Sequence, residues 1–156
     1  MREVSFWVAG DPRPKGSKNI GRTKTGQSYV YEQDEAKLRK WMRAIRDVAQ
    51  THTTSWARQA PVIVKLSFVM RATAPHHVGW HAKAPDIDKL ERAVLDALQD
   101  KSGGRPLIVD DGAVVKVLKA KRWGEWPGVH ITVRDAGPCY SPGTLVATDQ
   151  TGVPEA

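Results

Sequence analysis

The stretch "APDIDKLERAVLDALQD", residues Ala84–Asp100, decides how this chain is read. Ile87, Leu90, Val94, Ala97 and Leu98 recur at the three- and four-residue spacing of a helix with one buried stripe. The "SGG" after Lys101 supplies its stop. Two acids one residue apart, Asp86 and Asp88, stand at its head, just after Pro85. Downstream, "LIVDDG" (Leu107–Gly112) ends in two more, Asp110 and Asp111.

Working outward, "VSFWVA" (Val4–Ala9) alternates as a strand does, and "VIVKLSFVM" (Val62–Met70) is β-branched and apolar enough for a central one. "DEAKLRKWMRAIRDVAQ" (Asp34–Gln50) predicts a second helix, with Leu38, Trp41, Met42, Ile45, Val48 and Ala49 on one stripe. Its acids Asp34 and Glu35 fall in the first turn, where the helix dipole favours negative charge. "PLIV" reads as a short extended segment. "AVVKVLKAKRW" (Ala113–Trp123) and "GVHITVRD" (Gly128–Asp135) read as paired strands joined by "GEWPG". Gly10–Gln27 and Arg71–Pro85 read as loops. The order predicts an α/β (α+β) fold: a small mixed β-sheet with two main helices packed on it. From Gly137 onward periodicity ends, so one domain is expected over 1–136 and a disordered tail over 137–156.

The chain is basic, with 24 Lys and Arg against 17 Asp and Glu, a net +7. That favours a polyanionic partner, nucleic acid rather than membrane, since no segment sets a basic face against an apolar one. From Arg13 to Lys24 the first loop carries Arg13, Lys15, Lys18, Arg22 and Lys24 and no acid, which suits either a solvated loop or a phosphate-gripping arm. The single cysteine, Cys139, excludes an internal disulfide framework and a multi-cysteine zinc site. With no signal-peptide pattern and no membrane-length apolar run, a cytoplasmic setting is expected. No Gly-rich nucleotide-hydrolase loop is present, so no nucleotide cofactor is expected. His76, His77 and His81 lie between prolines beside Gly79, a poor setting for a helical zinc pair. Of the six Trp, Trp7 and Trp41 fit core positions. Trp80, Trp123 and Trp126 lie in or beside loops, open to core packing or to stacking on an unpaired base.

The acids admit two readings. Asp86 suits a helix N-cap, Asp88-x-x-Glu91 has capping-box spacing, and Asp110-Asp111-Gly112 is a common turn. Alternatively, if the turn lies near the helix head, three or four carboxylates converge and repel one another unless a hard divalent cation neutralises them. Mg²⁺ there would activate water against a phosphodiester, and a basic body around an acidic metal pocket is the layout of a nuclease. Arg92, four residues after Asp88, is an ion-pair partner for it or a cation aimed at the phosphate. Lys89, three after Asp86, suits the same part.

These segments resemble the RusA family of Holliday junction resolvases, crossover-junction endodeoxyribonucleases of bacteria and phages. The likeness rests on "PDIDKLERAVLDALQD" and "LIVDDGAVVKVLKAKRW", with Asp86, Asp88, Leu90, Asp96, Ala97, Leu98, Asp110 and Asp111 on the family pattern. "PRPKGSKN" is similar to the family's basic opening, and the likeness spans roughly residues 4 to 135. It implies a small α/β homodimer acting on branched DNA, with Asp86, Asp88 and Asp111 as catalytic ligands of Mg²⁺ or Mn²⁺. Lys15, Lys18, Arg22, Lys24 and Lys89 are the expected nucleic-acid contacts. The family's catalytic lysine falls at Arg92, which holds a phosphate bidentately but does not readily transfer a proton. The alternative that departure raises is a junction-binding protein of the same fold without cleavage. Dimerisation suits the task by symmetry, because two like cuts in a two-fold junction need two sites related by that axis.

Overall fold

The computed structural model describes residues 1–139, apart from Ser17, Gln33 and the side chain of Glu32. The tail expected over 137–156 lies outside the described residues from 140 on. Six strands and two helices follow in the order β1 (Glu3–Ala9), β2 (Lys18–Arg22), β3 (Ser28–Glu32), α1 (Glu35–Ala49), β4 (Val62–Arg71), α2 (Ile87–Leu98), β5 (Val114–Gly124) and β6 (Gly128–Asp135). Four strands make a mixed sheet in the order β1-β6-β4-β5, and β2 and β3 form a separate hairpin. The expected mixed sheet with two helices is therefore present.

Alternation builds the core. Val4, Phe6 and Val8 of β1 turn inward, as do Val62, Val64, Leu66, Phe68 and Met70 of β4 and Val129, Ile131 and Val133 of β6. The inward side chains meet Leu38, Trp41, Ile45 and Ala49 of α1 and Leu90, Ala93, Val94, Ala97 and Leu98 of α2 in one cluster. Trp56, on the chain between α1 and β4, is fully buried in it. Truncating such a residue to alanine costs about 3–5 kcal/mol.

Four expectations change. β5 and β6 are not partners, because β4 lies between them, parallel to β5 and antiparallel to β6. A strand as apolar as β4 needs cover along both edges, and Glu125, Trp126 and Pro127 suffice to step across its end. The segment 10–27 is not all loop: Lys18–Arg22 pairs with Ser28–Glu32, closed by a turn in which Thr23 N–H donates to Gln27 O at 2.8 Å. "PLIV" is no strand of its own and contributes one bridge, Ile108 to Trp56. Trp7, expected in the core, lies on the uncovered face of the sheet, 41% exposed and packed over Gly128.

Asp135, at the end of β6, ties the start of β1 to the segment between α1 and β4. It accepts from the Arg2 backbone N–H at 2.7 Å and from the Trp56 indole N–H at 2.8 Å. These donors hold its pKa down, to about 2. A carboxylate depressed this way adds stability above its unfolded pKa and loses it as pH falls through the folded one. Wild type should therefore lose melting temperature between about pH 4 and pH 2, and Asp135→Asn should start lower and lose less over that window in a pH series of thermal melts. Parallel curves for the two proteins would refute the assignment.

Candidate active site

α2 is the crossover between two parallel strands, so it runs back along them and its ends lie at opposite ends of the sheet. Its head meets the C-terminal ends of β4 and β5. Lys121 Nζ of β5 donates to the carbonyls of Lys83 and Pro85, at 2.6 Å for Pro85. The segment before α2 also bridges β5, with His81 N–H donating to Lys121 O at 3.2 Å. Its foot meets the start of β5, where Ile108 N–H donates to Leu98 O at 3.2 Å. One turn on, a short 3-10 turn, Asp111–Ala113, leads into β5.

A cavity of about 580 Å³ opens at the head of α2. Leu38, Met70 and Trp123 give it apolar walls, and Asp86 and Lys89 enter from α2. Asp11 and Arg13 enter from the loop after β1, and Asp34 from the residue before α1. Asp86 Oδ2 lies 3.5 Å from Lys89 Nζ, and the Asp86 side chain is 65% exposed. Asp11 is held by the Arg71 guanidinium at 2.9 Å. Asp88 sits exposed in the first turn of α2. The positive end of the helix dipole favours negative charge at both aspartates.

The capping reading is excluded for Asp86, which occupies the N-cap position with extended backbone and makes no side-chain cap hydrogen bond. It holds for Asp110, whose Oδ1 accepts from Gly112 N–H at 2.9 Å. Asp111 is placed by its own N–H, which donates to Gln99 Oε1 at 3.2 Å, at the foot of α2. The structure thus sets Asp86 and Asp88 at the head of α2 and Asp110 and Asp111 a helix length away, about 18 Å for 12 residues. The turn does not lie near the helix head, so the convergence of three or four carboxylates that this condition would have given does not occur within one chain. Among the described residues no group of three or more His, Cys, Asp or Glu is placed to share an ion.

The cations divide as well. Lys89 shares the cavity with Asp86, whereas Arg92 lies one turn on, over Gly16, where an added Cβ would come within 2.9 Å of its Nη1. Lys15 pairs with Asp96 at 2.5 Å, and its backbone N–H donates to Lys89 O at 3.0 Å, so it fastens the loop to α2. Lys18, Arg22 and Lys24 ride on the β2–β3 hairpin. His77 stacks on Trp123 at 3.9 Å and His81 packs against it at 4.1 Å. Burial chiefly, with Lys121 and Lys83 nearby, holds His81 below the ordinary imidazole range, so it is a neutral wall of the cavity. Trp80 and Trp126 are exposed. Sequence reasoning missed Asp11, Arg13, Asp34 and Arg71 as cavity residues. Their arrival depends on three separate segments meeting, which no local pattern signals.

A family model described as Endodeoxyribonuclease RusA matches residues 9–134 of the 156-residue chain. The chain belongs to the RusA endodeoxyribonuclease family. A comparison with curated proteins finds no match. The RusA match covers both acidic segments and every strand and helix except β1, of which it includes only Ala9, and the last residue of β6. Among the described residues no helix is long and apolar enough to cross a membrane.

The geometry separates the acids by role. Asp110→Ala should lower stability by about 1 kcal/mol, the usual worth of a cap. Asp86→Asn and Asp88→Asn should change stability by less than that, because Asp86 makes no cap hydrogen bond and an exposed charge at a helix head contributes only about 0.3–1 kcal/mol. Differential scanning calorimetry of the three variants checks this, and equal losses in all three would return the acids to a structural role.

Proposed function

We propose that this RusA-family chain is a metal-dependent endonuclease that resolves four-way DNA junctions as a homodimer. The observation that carries the reading is the cleft at the head of α2, lined by Asp86, Lys89 and Arg13, with Asp88 exposed in the same first helical turn, in a chain of net charge +7. The donor set fits Mg²⁺, or Mn²⁺ in its place: two hard carboxylates on an open rim, with room for phosphate oxygens. Bound there, the ion supplies Lewis-acid polarisation of the phosphoryl group and water of lowered pKa. Asp86 and Asp88 hold it, and Lys89 offsets charge on the scissile phosphate. Arg92, on the exposed side of the same helix, grips a neighbouring phosphate through its fork of N–H donors. Lys18, Arg22 and Lys24 hold the backbone farther out.

The separation of Asp111 gives the dimer a chemical task. A two-fold axis across the middle of α2 and β5 exchanges their ends. It carries Asp111 of one copy toward Asp86 and Asp88 of its partner. The third carboxylate then comes from the second chain, and a single chain holds only part of each site.

The test uses a labelled four-way junction and a matched linear duplex, with Mg²⁺, with Mn²⁺ and with EDTA. Wild type should give paired, metal-dependent nicks in the junction alone. Asp88→Asn and Asp111→Asn homodimers should each be inactive, with losses of about a hundred-fold or more, as expected when a charge-stabilising group is removed. A mixed dimer of the two variants, co-expressed with different tags, should regain single nicks. It would contain one site with Asp86, Asp88 and Asp111 all intact. A dead mixed dimer beside an active wild type would place the three acids in one chain. Junction binding without nicks under any metal would identify the non-cleaving binder, the outcome the arginine at position 92 makes worth testing.

A further inference from the structure

The β2–β3 hairpin packs extensively on no other strand or helix among the described residues. A two-stranded hairpin alone in water is marginal, so its exposed surface needs a purpose. Its two faces differ. Lys18, Ile20 and Arg22 share one with Val30. Tyr29 and Tyr31 share the other with Gly21 and Asn19. Tyr29 lies flat across Gly21, where a Cβ would come within 2.4 Å of the ring, so glycine is what lets the ring lie there. The two tyrosine rings are 5.7 Å apart, and the residues stay 50% and 44% exposed.

Both feet of this arm stand at the cleft. Arg13 and Pro14 on one side and Asp34 on the other line the cavity that holds Asp86. The first foot is clamped to α2 by the Lys15–Asp96 pair and by Lys15 N–H on Lys89 O. Five residues of strand reach about 17 Å beyond that foot. We propose that the arm reads the branch point: Tyr31 and Tyr29 stack on bases left unpaired where the strands of a junction exchange. The proposal rests on the junction-nuclease reading and assigns its selectivity to these rings. Aromatic faces accept any base, and the cations of the other face suit the backbone beside it. A second copy of this chain is the poorer occupant, because a +7 partner would meet Lys18, Arg22 and Lys24 with like charge.

The experiment places 5-iodouracil at the crossover of a four-way junction in EDTA, irradiates the complex and maps the adduct by mass spectrometry. Affinities of Tyr31→Ala and Tyr31→Phe for junction and linear duplex are measured in parallel, with sedimentation to follow the dimer. The expected result is an adduct at Tyr31 or Tyr29, with junction binding about 5- to 100-fold weaker in Tyr31→Ala. Duplex binding should be unchanged, and Tyr31→Phe should behave as wild type. Because the arm stands off the core, either variant should melt with the wild type. An adduct at Trp80 or Trp126 instead, or equal junction affinity in Tyr31→Ala, overturns the arm while leaving cleavage by wild type in place. Loss of the dimer in Tyr31→Ala overturns it in favour of a self-association surface. A wild type that neither binds nor cuts junctions removes the nuclease reading itself, and the arm's role with it.

Discussion

The parallel pairing of β4 with β5 is the constraint on which the rest depends. Parallel neighbours cannot be joined by a tight turn, so the chain must return the length of the sheet before β5 begins, and α2 is that return. Everything functional follows from its direction. Its head is delivered to the C-terminal ends of two strands, where β1 and β4 also discharge their loops and α1 begins, and a cleft forms there. Its foot is delivered to the other end, with Gln99 holding Asp111. The same helix that gathers Asp86, Asp88 and Lys89 thereby separates them from the acid that sequence spacing grouped with them.

The clamps on α2 are electrostatic where they face solvent and apolar where they face the sheet. Leu90, Ala93, Val94, Ala97 and Leu98 are buried almost completely. On the flanks, Lys119 of β5 pairs with Glu91, and Lys15 pairs with Asp96. Exposed or half-exposed pairs of this kind contribute little to stability. Their effect is positional: they fix the rotation of the helix and so fix which side chains look into the cleft. Of the two candidate cations, this rotation turns Lys89 toward the cavity and Arg92 toward Gly16.

How much of this the sequence disclosed depends on what periodicity encodes. It encodes faces, so both helices and the spans of β1, β4 and β6 were legible to within a residue or two. It does not encode neighbours, so β6 was assigned to β5 when its true partners are β1 and β4. The β2–β3 hairpin was hidden because its turn residues and its cations are those of a mobile loop, and only Ile20, Val30 and the two tyrosines mark it as strand. Trp7 misled for a related reason: β1 alternates correctly, but an aromatic falls on its solvent side, where Gly128 gives it room. At the site, the acidic motif was legible and its geometry was not. Spacing along a chain cannot tell a helix that brings two acids together from one that holds them apart.

That last ambiguity bears on how a resolvase would be controlled. On the proposed reading each site takes carboxylates from two chains, so a lone chain has a metal pair without its third ligand. The full carboxylate cluster then forms only after assembly, and a stray monomer on duplex DNA lacks the charge set for hydrolysis. The two-fold axis that completes the sites also fixes their spacing, so two cuts become available together and in symmetric strands. Lys89 strengthens the case for a working site despite the arginine downstream of it. A lysine whose ammonium already lies 3.5 Å from Asp86 is placed to serve the phosphate from within the cleft. On the proposed reading, Arg92 holds backbone and need not move a proton.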